Sequence, residues 1–214
     1  MQDGLVFQYI QTMKQFMTIL TLSMALPLTI QHLAAQETVQ PDPVPQDFVL
    51  ADFPAGLAQA PGWQWEGFAD RVMGGKSDLV SPGIVNTPDG PAYRLAGKVI
   101  TKGGGFIQVR LDRLAGPFNA SDFSGVEVIV DAPAGGKYYV FLRTRDNFFP
   151  WSYYGALLDL PGGRRTIRLP WTAFKAEATL RRDVRTTGIA NVALVAAYLD
   201  FEPDLKIYRV AFYR

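Results

Sequence analysis

Leu205-Lys206-Ile207-Tyr208-Arg209-Val210-Ala211-Phe212 is the stretch on which the fold of this chain turns. As an extended strand it puts Tyr208, Val210 and Phe212 on one face and Ile207, Arg209 and Ala211 on the other. Working back from it, short apolar runs alternate with turn signals as far as Asp47. The pattern predicts strands over Phe48–Phe53, Trp63–Phe68, Ala92–Ile100, Phe106–Leu111, Val126–Val130, Tyr138–Arg143, Tyr153–Leu160, Thr166–Leu169, Val192–Tyr198 and Leu205–Phe212. Between them stand Ser-Pro-Gly, Pro-Asp-Gly, Gly-Gly-Gly, Pro-Ala-Gly-Gly and Pro-Gly-Gly, each able to reverse the chain. Only Trp171–Lys175 and part of Ala176–Arg185 read as briefly helical. The expectation is an all-β domain, a two-sheet β-sandwich of the jelly-roll kind, over residues 47–214. A domain of this size buries about 70% of its unfolded surface, so it needs no disulfide or metal to be stable.

The residue inventory narrows the chemistry. The chain has 214 residues, no cysteine and one histidine, His32. His32 falls in a segment with the pattern of a secretory signal: Met13-Lys14, the apolar run Phe16–Ile30, then Leu33-Ala34-Ala35 as a cleavage region. Residues 1–35 are expected to be removed, with a signal anchor as the alternative. At about 1.5 Å per residue the run is short of a ~30 Å hydrocarbon core, and Pro27 interrupts it. No arginine precedes Arg71, which disfavours mitochondrial and twin-arginine addresses. Residues 36–46 read as a Pro-rich linker. The working protein would hold neither His nor Cys. That excludes thiol nucleophiles, Ser-His-Asp machinery and His/Cys metal sites. The formal charge is +1, so no global field favours nucleic acid or an anionic membrane. The expectation is an exported, bacterial periplasmic monomer with no cofactor, metal or catalytic residue.

The densest polar-and-glycine stretch is Asp70-Arg71-Val72-Met73-Gly74-Gly75-Lys76-Ser77. Gly75-Lys76-Ser77 mimics the end of a phosphate-binding loop, but that motif needs glycine at the position of Asp70, so nucleotide binding is not expected. The stretch reads either as a tight turn fixed by Asp70 accepting backbone N–H bonds or as a ligand loop. Gly103-Gly104-Gly105 before Phe106 reads as a turn or bulge, or as a point of close approach. Aromatic side chains cluster at Trp63 and Trp65, at Tyr138–Phe141, and at Phe148–Tyr154; Trp63 and Trp65 would share a strand face, as would Trp151 and Tyr153. Arg143-Thr144-Arg145-Asp146-Asn147 beside Trp151 mixes charge with rings at a loop. Glutamates are few, and none sits in a setting that marks a catalytic acid. Asn119-Ala120-Ser121 is a glycosylation acceptor only in a eukaryotic secretory route.

Trp65 followed by Asp70–Ser77, Gly104-Gly105-Phe106, Leu142-Arg143-Thr144 with Tyr153-Tyr154, Thr166–Phe174 and Ile189–Phe212, in that order, resemble the blocks of the complex I intermediate-associated protein 30 family. The resemblance spans about Phe48–Tyr213. It implies a galactose-binding-like jelly roll related to carbohydrate-binding modules, and assembly factors of NADH:ubiquinone oxidoreductase with no established catalytic residues. The chain departs from it at Asp131–Lys137, where the family has an Arg/Lys-Gly-Asp-Gly-like turn, and in its export signal, since the mitochondrial members act in the matrix.

Two readings follow: a non-catalytic exported binding domain with an assembly or chaperone role for a membrane or envelope complex, or a carbohydrate-binding module with a concave aromatic face. The partner is a protein or a glycan, with no nucleic acid and no nucleotide. The candidate ligand- or partner-binding residues are Asp70, Arg71, Gly74, Gly75, Ser77, Gly104, Gly105, Arg143, Trp151 and Tyr153. Asp70 would fix the loop, and the glycines would allow close backbone approach. Arg143 would offer a bidentate fork, and Trp151 and Tyr153 would supply stacking surface.

Overall fold

The computed structural model describes residues 46–214. The signal-like segment, His32 and all of the linker before Gln46 lie outside the described residues. Val44–Arg214 form one compact unit with its own core. Thirteen strands follow one another: β1 (Phe48–Asp52), β2 (Trp63–Ala69), β3 (Asp78–Leu79), β4 (Gly83–Thr87), β5 (Gly90–Lys98), β6 (Phe106–Arg113), β7 (Gly125–Ala132), β8 (Tyr138–Thr144), β9 (Tyr153–Leu158), β10 (Gly163–Pro170), β11 (Lys175–Glu177), β12 (Ile189–Ala197) and β13 (Asp204–Tyr213). Among the described residues the helical elements are three short 3-10 turns. None is long and apolar enough to cross a membrane.

All pairings are antiparallel, and they build two sheets. The first runs β10-β7-β13-β5-β3, with β1 also on β13 and β4 also on β5. The second runs β11-β9-β8-β12-β6-β2. Alternate residues face the space between them. From the second sheet Ile107, Val109, Leu111, Val140, Leu142, Val192 and Leu194 are fully buried; from the first, Val126, Val128, Val130, Leu95 and Phe212 meet them.

β13 is the spine of the first sheet. β7 flanks it from Lys206 to Tyr213 on one side, while β1 and β5 share the other. Its register corrects the simple alternation. Ile207 pairs with Val130 and Arg209 with Ile129, so a bulge leaves Tyr208 without a partner on β7. Ile207 therefore turns inward with Val210 and Phe212, away from Arg209. Tyr208 is buried through its own contacts: its hydroxyl bonds Thr87 Oγ1 at 3.0 Å, and Arg164 lies over its ring. The helical expectation over residues 176–185 is also corrected. Lys175–Glu177 add a strand to the edge of β9, and the following residues are irregular up to a 3-10 turn at Thr186–Gly188. Pairing with β9 supplies backbone partners that a helix of a few residues could not.

The outer face of the first sheet is a lattice of mutually paired charges. Arg209 bridges Asp47, Asp52 and Glu127, and Glu127 also accepts from Arg168 Nε at 2.7 Å. Arg94 and Lys206 share Asp204. These charges neutralise one another across the face.

One buried carboxylate clasps the end of the sandwich. Asp70 opens a 3-10 turn (Asp70–Met73) directly after β2 and has no exposed surface. Its Oδ1 accepts the Ser77 amide at 2.9 Å; its Oδ2 accepts the Ser77 hydroxyl at 2.8 Å and the Gly105 amide at 2.5 Å. Ser77 Oγ in turn accepts the Ile100 amide at 3.0 Å. The carboxylate thus ties the β2 exit to the β3 entry and the β5–β6 connection. No cation pairs with it among the described residues: Arg71 turns outward to Asp78 and the Ser77 carbonyl. A buried carboxylate without a counter-charge persists only when donors saturate it, as they do here. The clasp also explains two glycines. A Cβ on Gly75 would stand 2.1 Å from Asp70 Cγ, and one on Gly104 2.5 Å from Oδ2.

Two outcomes check this architecture. In urea denaturation, Leu111→Ala should cost about 2–5 kcal/mol, whereas Gln108→Ala, on the outer face of the same strand, should stay within about 0.5 kcal/mol. Comparable losses from both would contradict the assigned faces. Asp70→Ala should cost about 3 kcal/mol or more by orphaning buried donors. Gly104→Ala should also destabilise, but less in the Asp70→Ala background, where the added methyl has room. Additive losses would show that the two residues do not press on one another.

Candidate functional site

The outer face of the second sheet differs from that of the first. Along β12 the outward residues are Asn191, Ala193, Val195 and Ala197. On the flanking strands they are large: Phe106, Gln108 and Arg110 on β6, and Tyr139, Phe141 and Arg143 on β8. Register places Ala193 between Arg110 and Phe141, and Asn191 between Asp112 and Arg143. Small residues on a central strand between large ones leave a trough. The side chains of Ala193 and Ala197 lie at its floor, and Val195 on the same face is fully buried, with Phe106, Tyr139 and Phe141 packed against the three.

The trough is part of a cleft of about 580 Å³, a size ordinary for a ligand site. At one end stand Val72 and Met73, carried by the Asp70 clasp, with Gly104, Gly105 and Phe106. At the other stand Pro150, Trp151 and Ser152 of the β8–β9 loop. Tyr153, Tyr198 and Glu177 complete the β9 side.

The aromatic residues form two platforms. Phe141 and Tyr153 stack at 3.9 Å between ring centroids and 13° between planes. Gly155, opposite Phe141, makes room for them, because a Cβ there would lie 3.1 Å from either ring. Phe149 and Trp151 stack at 5.2 Å and 10°, and Trp151 keeps 56% of its surface exposed. Tyr198, just past β12, is held in the left-handed region at φ 62, a strained setting for a residue with a side chain. Its amide donates to the Gly105 carbonyl, and its hydroxyl is hydrogen-bonded to that of Tyr153 across the face. Burial first, and then the Tyr198 contact, pushes the Tyr153 phenol far above the usual tyrosine range. The Tyr153 phenol therefore stays protonated at neutral pH.

Both arginines of the cleft are already engaged, whereas the exposed Glu177 carboxylate has no ion-pair partner among the described residues. Arg110 donates to Glu66 Oε2 and Asp112 Oδ2, both at 2.6 Å, and lies over the Phe68 ring. Asn191 Nδ2 donates to Asp112 Oδ1 at 3.1 Å. Burial raises the Asp112 carboxyl above the usual aspartate range, and hydrogen bonds from Asp112 and Arg110 hold Glu66 below the usual glutamate range. Arg143 donates to three loop carbonyls: Pro150 at 3.3 Å, Asn147 at 3.0 Å and Phe149 at 2.9 Å. Burial, and then the like charge of Arg110, hold its guanidinium below the ordinary arginine value. Among the described residues no group of three His, Cys, Asp or Glu could hold a metal ion.

The sequence candidates divide accordingly. Gly104, Gly105, Arg143, Trp151 and Tyr153 meet on the cleft. Asp70 and Ser77 are fully buried and bonded to one another, so they act by shaping the rim and cannot touch a ligand. Arg71 is spent on Asp78, Gly74 ends the 3-10 turn at φ 85, and Gly75 makes room for Asp70; none of these three lines the cleft. Arg143 is corrected in role: its fork clamps the loop bearing Trp151. Phe68, Gln108, Arg110, Asn191 and Tyr198 also line the cleft, as do Val72 and Met73 from within the Asp70–Ser77 stretch, and none of them is among the sequence candidates. One signal could have found the floor, namely the apolar residues Ala193, Val195 and Ala197 continuing the outer face of a strand whose inner face is apolar too.

The profile of the complex I intermediate-associated protein 30 family matches residues 58–200. Among curated proteins none matches the sequence. Solved structures do match by shape. A family 11 carbohydrate-binding module from Clostridium thermocellum, in complex with a β-1,3-1,4-mixed-linked tetrasaccharide, has a TM-score of 0.56 at 11% identity, covering 78% of this chain and 95% of that one. The family 11 module of a cellulosomal cellulase from the same organism gives 0.58 at 10% identity, covering 79% and 95%. A family 30 carbohydrate-binding module gives 0.52 at 11% identity, covering 79% and 100%. At such identities the likeness establishes the fold, a galactose-binding-like β-sandwich. With two thirds of its length matched by that profile, the chain belongs to the complex I intermediate-associated protein 30 family.

Proposed function

We propose that this domain is a non-catalytic binding module that holds a neutral glycan chain in the cleft of its second sheet. The observation that carries the reading is the pairing of flat aromatic platforms with scattered, mostly neutral hydrogen-bonding groups along one open trough. Trp151 and the Tyr153–Phe141 stack offer ring faces to the apolar faces of sugars. Gln108, Asn191 and the two phenols offer donors and acceptors to hydroxyl groups. Arg110 and Arg143 are occupied by protein partners, which leaves no free cation among the described lining residues to attract an anionic ligand. The β-sandwich modules of the same fold, one of them solved with a tetrasaccharide, support this ligand class.

A second reading has a specific observation behind it: membership of a family described as complex I intermediate-associated. On that reading the same cleft takes an extended segment of a protein partner during assembly. The proposed location is the bacterial periplasm, on the signal-like pattern of residues 1–35. That location would place the domain among cell-envelope glycans and on the outer side of any membrane complex.

The two readings separate in one set of titrations. The domain should bind the β-1,3-1,4-mixed-linked tetrasaccharide or another neutral member of a glycan panel, with a change in Trp151 fluorescence. Trp151→Ala should weaken binding about tenfold or more. Ala193→Phe, which fills the floor without entering the core, should abolish it at an unchanged unfolding midpoint. Flat titrations across the panel, with capture of a membrane-complex subunit that Ala193→Phe releases, would favour the protein reading and overturn the glycan one. Arg143→Lys should weaken sugar binding as much as Arg143→Ala, because an ammonium cannot hold three carbonyls in a planar fork. Full rescue by lysine would show that charge alone is needed there.

A further inference from the structure

Beyond the cleft, two loops at the same end of the sandwich project apolar side chains that nothing shelters. The β8–β9 loop, residues 145–151, raises Phe148, which is 78% exposed; the loop after β11, residues 178–185, raises Leu180, which is 97% exposed. The two tips border one shallow depression with Asp146 and Arg181. An isolated exposed leucine would need no explanation. Here the two tips are neighbours, and their loops are fastened from below. Asp146 accepts from Arg185 Nη1 at 2.9 Å and is ion-paired with Arg181 Nε at 3.2 Å, joining one loop to the other. The Arg143 fork holds the carbonyls of Asn147, Phe149 and Pro150. Fastened loops lose little further entropy when their tips are buried.

The charges around the tips are segregated, although the chain as a whole is nearly neutral. The two loops carry four arginines, Arg145, Arg181, Arg182 and Arg185, against two aspartates, Asp146 and Asp183, with no lysine or glutamate. Arg145 and Arg182 are exposed beside the tips.

We propose that this end of the domain docks on an anionic lipid surface, with Phe148 and Leu180 entering the headgroup region and the arginines meeting lipid phosphates. Projecting tips ringed by guanidinium groups suit a bilayer, which accepts isolated apolar side chains at its interface and attracts basic ones. A stable protein interface instead needs a continuous patch of about 800 Å² on each side, and two separate tips do not make one. Such docking would hold the cleft beside the membrane whether its ligand is a glycan or a protein segment, so this proposal does not depend on the ligand reading.

The test uses the domain from Val44 onward, which forms a compact unit with its own core and lacks the apolar run at residues 16–30. It is sedimented with vesicles of pure phosphatidylcholine and with vesicles of equal parts phosphatidylcholine and phosphatidylglycerol. Binding should be confined to the anionic vesicles and fall steeply with salt. Phe148→Ser and Leu180→Ser should each weaken it about tenfold, and Arg182→Ala about fivefold. Glycan binding in the cleft should be unchanged in all three variants, which keeps this outcome separate from the cleft's. Equal binding to both vesicle types, no vesicle binding, or binding indifferent to all three substitutions would overturn the proposal. So would concentration-dependent dimerisation abolished by the same substitutions, which would make a second copy of the chain the occupant.

Discussion

The structure rests on a fully buried carboxylate that pairs with no cation among the described residues. Asp70 is satisfied by three donors from two separate segments, the Ser77 amide and hydroxyl and the Gly105 amide. Removing any donor leaves a buried charge short of a partner, a situation proteins tolerate poorly. The carboxylate therefore dictates where the β2 exit, the β3 entry and the β5–β6 connection lie relative to one another. Glycine at 75 and 104 follows from its bulk. The positions of Val72, Met73 and Gly105 at the mouth of the cleft follow as well, and the Gly105 carbonyl then receives the amide of the strained Tyr198. One interaction thus connects a buried polar knot to the aromatic wall of a surface trough.

The two sheets show how one pleat produces different outer faces. On the first, long charged side chains opposite one another neutralise in pairs around Arg209 and Glu127, and the surface is complete in itself. On the second, small side chains along β12 lie between aromatic and long polar ones on β6 and β8, and the surface is left concave. A concave face with exposed rings costs solvation that a folded domain gains nothing from by itself, so its presence argues for a ligand. Arg143 contributes at the far end by holding three carbonyls, which fixes the loop that presents Trp151. The same clamp supports the base of the Phe148 tip.

Much of this was legible in the chain. Ten of the strands follow from alternation and turn residues, and the two-sheet architecture follows from their number and spacing. The short edge strands β3, β4 and β11 did not show, because two to five residues with one exposed face carry too little period. The bulge at Tyr208 did not show because a single unpaired residue reverses the faces without changing composition. The Asp70–Ser77 block was visible as a motif, and Asp70's preference for local N–H donors was inferable. That its second oxygen reaches Gly105, across 35 positions of sequence, is a tertiary fact. Arg143 was visible as a donor near rings, but sequence cannot say whether a fork faces a ligand or its own loop. The trough floor was legible in principle, as three apolar residues on the outer face of a strand.

The central claim is that the outer face of the second sheet is the binding surface, shaped at its rim by Asp70. Its most direct test is a titration of the isotopically labelled domain with the β-1,3-1,4-mixed-linked tetrasaccharide, followed residue by residue in nitrogen–proton correlation spectra. The account predicts shifts confined to Gln108, Ala193, Tyr198 and the Trp151 indole N–H, with their neighbours on β6, β8 and β12, while β7, β10 and β13 stay unmoved. Shifts centred on the charged outer face of the first sheet would contradict it.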